Sequence, residues 1–171
     1  MSTTPPTRSD ADLVEVASAQ WAARYPAREG FRALAAIVRT YDAALKAVEA
    51  RLRPMGLTLS RVEALLVLAF SRQPSMPVMR LRDLLMIHGS SVTYLVDRLE
   101  AAGLVARSPD PGDRRVTRVA ITDAGRALVD RAARELAAAD FGVFAGMDPG
   151  RLEELADLLG EVRERAGGHR T

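Results

Sequence analysis

The chain contains no cysteine. That absence excludes disulfides, thiolate catalysis, thiol redox sensing and every cysteine-bearing zinc motif. His88 and His169 are the only histidines and lie far apart in sequence, so no paired histidine motif for a metal is present. Aromatic residues make up only 5% of the 171 positions, which leaves leucine, alanine and valine to build a core. Lys46 is the lone lysine among basic residues that are otherwise all arginine. The formal net charge is only +2, so a polyanionic partner would have to be met by locally placed charge rather than by the bulk field. The longest apolar run, Ala64 to Phe70, falls far short of the roughly 20 residues needed to span a bilayer. Residues 1–7 lack the apolar segment of a signal peptide, so a cytoplasmic chain without a membrane partner is expected.

Hydrophobic residues amount to 48% and charged residues to 27%, which fits a globular class long enough to bury a real core. Residues 1–9 are rich in threonine and proline and are expected to be unstructured. A first helix is expected from Asp10 to Tyr25, with Leu13, Val16, Ala17 and Trp21 on one side and Pro26 closing it. Phe31, Leu34, Val38, Tyr41, Leu45, Val48 and Leu52 then follow alternating spacings of three and four, the seam of a helix packed lengthwise on another helix. That seam suits either an intramolecular bundle or a subunit interface. Ser60 with Glu63 resembles a capping box, with Thr58 as a competing cap. Val62, Leu65, Leu66 and Ala69 supply the next apolar stripe, and Gln73 to Pro77 reads as a loop. Near the C-terminus, Thr122 can cap a long helix running to about Ala145. Asp148-Pro149 starts another, striped by Leu152, Leu155, Leu159 and Val162 and ended by Gly167-Gly168.

The segment from Leu81 to Gly125 is the most informative. It runs from a short helix over Leu81 to Ile87, through a turn at Gly89-Ser90-Ser91, into a second helix over Val92 to Glu100 that Gly103 stops. A strand over Leu104 to Ser108, a turn over Pro109 to Asp113 and a returning strand over Arg114 to Ile121 complete it. Two helices joined by a tight turn and followed by an arginine-tipped hairpin form the pattern of a winged helix-turn-helix. On the second helix Val92, Leu95, Val96 and Leu99 share an inward face. Ser90, Tyr94, Asp97 and Ala101 centre on the opposite face, with Thr93 and Arg98 at its flanks. Short hydroxyls and a tyrosine there can reach base edges or phosphates, although an ordinary solvated face with Ser90-Ser91 as a cap would look the same. The hairpin adds Arg114, Arg115 and Arg118 after the turn and Arg107 on the facing strand. Arginines at such a tip can enter a minor groove, and Asp113 is placed to orient Arg115 through a charge-assisted pair.

Three blocks carry a family resemblance: Leu95 to Arg107, Asp113-Arg114-Arg115, and Ile121-Thr122-Asp123-Ala124-Gly125-Arg126. Together they resemble the signature of the MarR family, over roughly Phe31 to Val162. The resemblance implies a fold that is mainly α with a small β-hairpin wing, a winged helix-turn-helix with long N- and C-terminal dimerisation helices. It implies a homodimeric DNA-binding transcription regulator, usually a repressor, released by a small and often aromatic or anionic ligand. Ser90, Ser91, Thr93, Tyr94 and Arg98 then belong to the recognition helix, Arg114, Arg115 and Arg118 to the wing, and Asp113 becomes the partner of Arg115. The seam and the last stripe become dimerisation surfaces. The implied organisation is an extension with one extra helix over residues 1–30 and a winged domain over 31–165. In that domain the DNA-binding lobe spans about 58–122, and the dimerisation helices about 31–53 and 122–165. Some members sense urate through an extra helix bearing a tryptophan. Trp21 and Arg107 match that set by position, and Glu63 stands where an aspartate is expected. Leu95 replaces the set's remaining arginine, which argues against urate itself and leaves the pocket open to another ligand. Trp21 also suits a plain core role.

The expected partners are therefore double-stranded DNA with a pseudo-palindromic operator, a second copy of the chain, and a small-molecule effector. A winged-helix module that docks on protein is the alternative, although its outer face should carry more exposed apolar area. No catalytic residue, cofactor or metal is expected, because the sequence shows no nucleophile-base pair, phosphate loop or metal cluster. The pairs Asp10/Asp12 and Glu153/Glu154 sit near helix starts, where the helix dipole favours them.

Overall fold

The computed structural model describes residues 9–85 and 89–167. Residues 1–8, 86–88 and 168–171 lie outside it, as do the side chains of residues 9–12 and Ser90. Several expectations fall there: the unstructured start, the Met86-Ile87 helix end, His88, His169, Gly168, the Asp10/Asp12 carboxylates and the Ser90 hydroxyl. The chain divides into two compact units, Met1–Lys46 and Ala47–Thr171.

In the first unit, α1 covers Ser9–Ala22 and α2 begins at Arg28, running on to Leu52 in the second. The helix expected to reach Tyr25 stops at Ala22, because the chain must turn ahead of Pro26 and Ala27 takes a left-handed φ of 59°. Trp21 secures that turn: its indole Nε1–H donates to the Pro26 carbonyl at 2.7 Å. Its ring stacks on Phe31 at 4.6 Å between centroids and tilts against Tyr25 at 4.9 Å. Glu15 on α1 accepts from Arg32 on α2 at 2.7 Å. The middle of the heptad seam stays largely uncovered, with Leu34, Val38 and Tyr41 each exposed by 60% or more.

The second unit holds the core. Val48 and Leu52 from the end of α2 are buried with residues from α3 (Leu59–Phe70), α4 (Val78–Leu85), α5 (Gly89–Ala101) and α6 (Asp123–Ala138). Thr58, not Ser60, caps α3, since its extended backbone lets the side chain accept from Arg61 N–H. The stretch expected as a loop through Pro77 contains a two-residue strand, β1 (Met76–Pro77), and α4 starts directly after it. β1 pairs with β3 (Thr117–Ile121), which pairs in turn with β2 (Val105–Pro109). The wing is thus a three-stranded antiparallel sheet in the order β1-β3-β2. The third strand was hidden because two residues are too short to show an alternating pattern.

Two glycines make this fold possible. Gly103 adopts φ 70° after α5, where its N–H bonds to the Glu100 carbonyl and that of Leu104 to the Leu99 carbonyl. This is a Schellman turn, and it aims the chain from α5 into β2. Gly125, in the first turn of α6, approaches β2 so closely that a Cβ would lie 2.1 Å from the Leu104 carbonyl oxygen. Thr122 caps α6 by accepting from Gly125 N–H at 3.0 Å and donating to the Gly103 carbonyl at 2.8 Å. The helix expected to reach about Ala145 ends at Ala138. Asp140, Phe141 and Gly142 all take positive φ, which no α-helix accommodates. Asp148 then caps α7 (Pro149–Gly167), as its spacing predicts. None of the residues of α7 is buried, and Leu158 and Val162 are more than half exposed.

Candidate nucleic-acid interface

The inward face of α5 is the one expected: Val92, Leu95, Val96 and Leu99 are buried. That burial fixes the rotation of the helix. Ser91, Thr93, Tyr94, Asp97 and Arg98 therefore point outward. The Arg98 guanidinium lies over the Tyr94 ring, 5.1 Å from its centroid, so the two long side chains stiffen one another. The Thr93 hydroxyl donates back to the Gly89 carbonyl at 3.3 Å within the first turn.

Arg107 on β2 is turned toward α5. It donates to Asp97, to Glu100 at 3.3 Å and to the Thr93 carbonyl at 3.3 Å, while its own amide bonds to Glu100 at 3.1 Å. This side chain joins the wing to α5.

At the tip, Arg114 and Arg115 are exposed, and neither forms an ion pair among the described residues. Asp113 does not pair with the Arg115 guanidinium as expected. Its carboxylate accepts from the Arg115 backbone N–H at 2.9 Å, the two-residue reach of an Asx turn. Arg118 also differs from expectation. Its Nη1 donates to Asp110 at 2.8 Å, its Nε to the Ser75 hydroxyl at 2.9 Å and its Nη2 to the Ser75 carbonyl at 2.6 Å, which leaves it half-buried. Asp110 and Ser75 were not foreseen as site residues. The other Asp110 oxygen accepts from the Gly112 and Asp113 amides at 2.8 and 3.3 Å. With Arg118 as the largest influence and these amides next, the Asp110 carboxyl is held below the usual carboxylate range. The Asp-Pro-Gly context of Asp110 hints at an Asx turn, but nothing local ties Ser75 to a residue 43 positions away.

A cleft of about 670 Å³ opens between the start of α3 and α5, lined by Glu63, Arg61, Ser91, Tyr94, Leu95 and Arg98 among others. Glu63 thus faces this cleft, while Arg107 is not among its lining residues. Trp21 belongs to the first unit, with its indole N–H already spent on Pro26.

A family model described as MarR family matches residues 55–116, from the turn after α2 to the wing tip. The crystal structure of Sco5413, a MarR family transcriptional regulator from Streptomyces coelicolor, is similar with a TM-score of 0.75 and 38% identity. The likeness covers 84% of this chain and 99% of that one. The chain belongs to the MarR family. As a MarR family protein it is a winged helix-turn-helix transcriptional regulator. The uncharacterized HTH-type transcriptional regulator YhbI of Bacillus subtilis is 29% identical over 128 residues, 75% of this chain and 82% of that protein. CouR from Rhodococcus jostii RHA1, in its structure bound to p-coumaroyl-CoA, is 29% identical with a TM-score of 0.65. That match covers 75% of this chain and 89% of CouR.

Proposed function

We propose that this MarR family regulator is a cytoplasmic homodimer that represses transcription from a pseudo-palindromic operator and leaves it when a small aromatic or anionic molecule binds. The observation that carries the reading is the pairing of a polar, outward α5 face with two exposed arginines, Arg114 and Arg115, on a hydrogen-bonded wing. In this reading Ser90, Ser91, Thr93, Tyr94 and Arg98 meet the major groove. Arg114 and Arg115 meet the phosphates or the minor groove beside it. Two-fold symmetry would set the recognition helices about 34–36 Å apart, one helical turn of DNA. The work is binding rather than bond-making, with no catalytic residue.

The cleft at α5 supports the effector part of the reading. Arg61 and Arg98 can meet an anion, Tyr94 and Leu95 offer apolar surface, and Glu63 lies close enough to select against the wrong charge. An occupant there would touch Ser91, Tyr94 and Arg98 and so compete with the groove. CouR, crystallised with p-coumaroyl-CoA, lends the aromatic-anion class further support. Trp21 and Arg107 are assigned structural work instead, at the α1–α2 turn and between wing and recognition helix.

The test is a fluorescence-anisotropy titration against the duplex upstream of the protein's own gene, with a random duplex of equal length, at two salt concentrations. Tight binding confined to the upstream duplex and weakened steeply by salt is expected, because each phosphate contact releases counterions. Equal, weak binding to both duplexes would count against an operator at this position. Affinity independent of salt would count against the wing.

A further inference from the structure

Of the three arginines after the wing turn, Arg114 and Arg115 point into solvent, whereas Arg118 turns Nε, Nη1 and Nη2 to acceptors within the protein. One partner, Ser75, lies 43 positions away in sequence and the other, Asp110, eight. Ser75 immediately precedes β1, and Pro77 of β1 is the register partner of Arg118 and leads straight into α4. Asp110 sits at the base of the turn and holds the Gly112 and Asp113 amides, and Asp113 in turn holds the Arg115 amide. The backbone closes the same loop, with Asp110 N–H bonded to the Val116 carbonyl and Val116 N–H to that of Asp113, both at 2.9 Å. An unbroken path of hydrogen bonds therefore runs from the start of the helix-turn-helix to the tip arginines.

We propose that Ser75, Arg118 and Asp110 form a strut that fixes the wing turn relative to α4, making Arg118 a positioning residue for the tip arginines rather than a DNA contact. The inference rests on the reading that Arg114 and Arg115 meet DNA. Its physical basis is the entropy of ordering. A tip already held by Asp110 loses little freedom when its arginines reach phosphate, whereas a loose turn between β2 and β3 has to be ordered at the moment of binding. The strut also explains the geometry of Arg118. Nε, Nη1 and Nη2 each meet an internal acceptor, and the planar fork of arginine reaches Ser75 and Asp110 through separate nitrogens, which the single ammonium of lysine does not.

The experiment is a double-mutant cycle in the full-length protein, using Arg115→Ala, Arg118→Gln and the pair, titrated against the upstream duplex over a range of salt. Arg115→Ala is expected to weaken binding and make the plot of log affinity against log salt shallower by about 0.9, one phosphate. Arg118→Gln is expected to weaken binding about tenfold, the scale of a charge-assisted hydrogen bond, with the slope unchanged. In the Arg115→Ala background it should cost clearly less, because only Arg114 is left to be positioned. A shallower slope in Arg118→Gln, additive losses in the pair, or no loss at all would overturn the strut. Amide exchange at Gly112 and Asp113 should quicken in Arg118→Gln, and unaltered exchange would also overturn it. Wild-type affinity and slope in Arg115→Ala would instead overturn the wing reading, and this inference with it. Ser75→Ala and Asp110→Asn cut one end each more gently. Smaller losses at constant slope in both support the strut should Arg118→Gln fail to fold, and wild-type affinity in both overturns it.

Discussion

At the scale of single residues, two positions make demands that neighbouring side chains cannot relax. Gly125 is one. A methyl group there would meet the Leu104 carbonyl at 2.1 Å and the Ile121 side chain at 2.8 Å, and the carbonyl oxygen is backbone that already accepts from Thr122 N–H. Gly125→Ala is expected to destabilise the protein by about 2–4 kcal/mol, the upper range of overpacking, as read from urea unfolding midpoints. A loss under about 0.5 kcal/mol would mean that α6 and β2 separate freely. Asp110 is the other, and its demand depends on pH. Its carboxyl is lowered in the fold, chiefly by Arg118, so the folded state prefers the ionised form more than the unfolded chain does. The stabilisation is complete above the unfolded value of about 3.9 and is lost as pH falls through the lower folded value. Amide protection relative to the intrinsic exchange rate, or NMR shifts, at Gly112 and Asp113 should therefore hold steady from neutral pH to about pH 4 and change only below it. A change centred near neutrality would assign the wing to another group.

At the scale of elements, the helices were legible wherever a cap and an apolar stripe agreed. α5 is the clearest case. Val92, Leu95, Val96 and Leu99 could only be satisfied by burial, and that burial left the polar face outward. α7 is another, because Asp148 followed by Pro149 is a start signal that needs no tertiary help. The failures have local causes. Ser60 lost to Thr58 because the two candidate caps sit two residues apart and only the extended one can cap. β1 was invisible because its two residues are strand only through pairing with β3. α6 stopped early at a left-handed Asp140-Phe141, and no propensity rule predicts a bulky residue in that region. Thr122 stands between strand and helix, serving both through its bonds to Gly103 and Gly125. Thr122→Ala is expected to cost about 1–2 kcal/mol by thermal or urea unfolding, and no measurable loss would show that the cap is dispensable.

At the scale of the whole molecule, the exposed apolar residues need an explanation. Leu158, Leu159 and Val162 of α7, and separately Leu34, Val38 and Tyr41 of α2, are each at least 41% exposed on the single chain. A stripe of this kind on a long helix is the pattern of a subunit interface. The paired change Leu158→Asp with Leu159→Asp is expected to halve the mass seen by light scattering and to weaken operator binding at least tenfold, since each half-site would then bind alone. An unchanged mass would place the dimer elsewhere. What the sequence by itself determined was the order of the helices, the two faces of the recognition helix and the place of the tip arginines. Those follow from periodicity, caps and turn residues, which act over a few positions. Only the tertiary structure decided which arginine is free and which is spent. Arg114, Arg115 and Arg118 are chemically identical, and their roles divide because pairing of β1 with β3 carries Ser75 to Arg118 across 43 residues of chain.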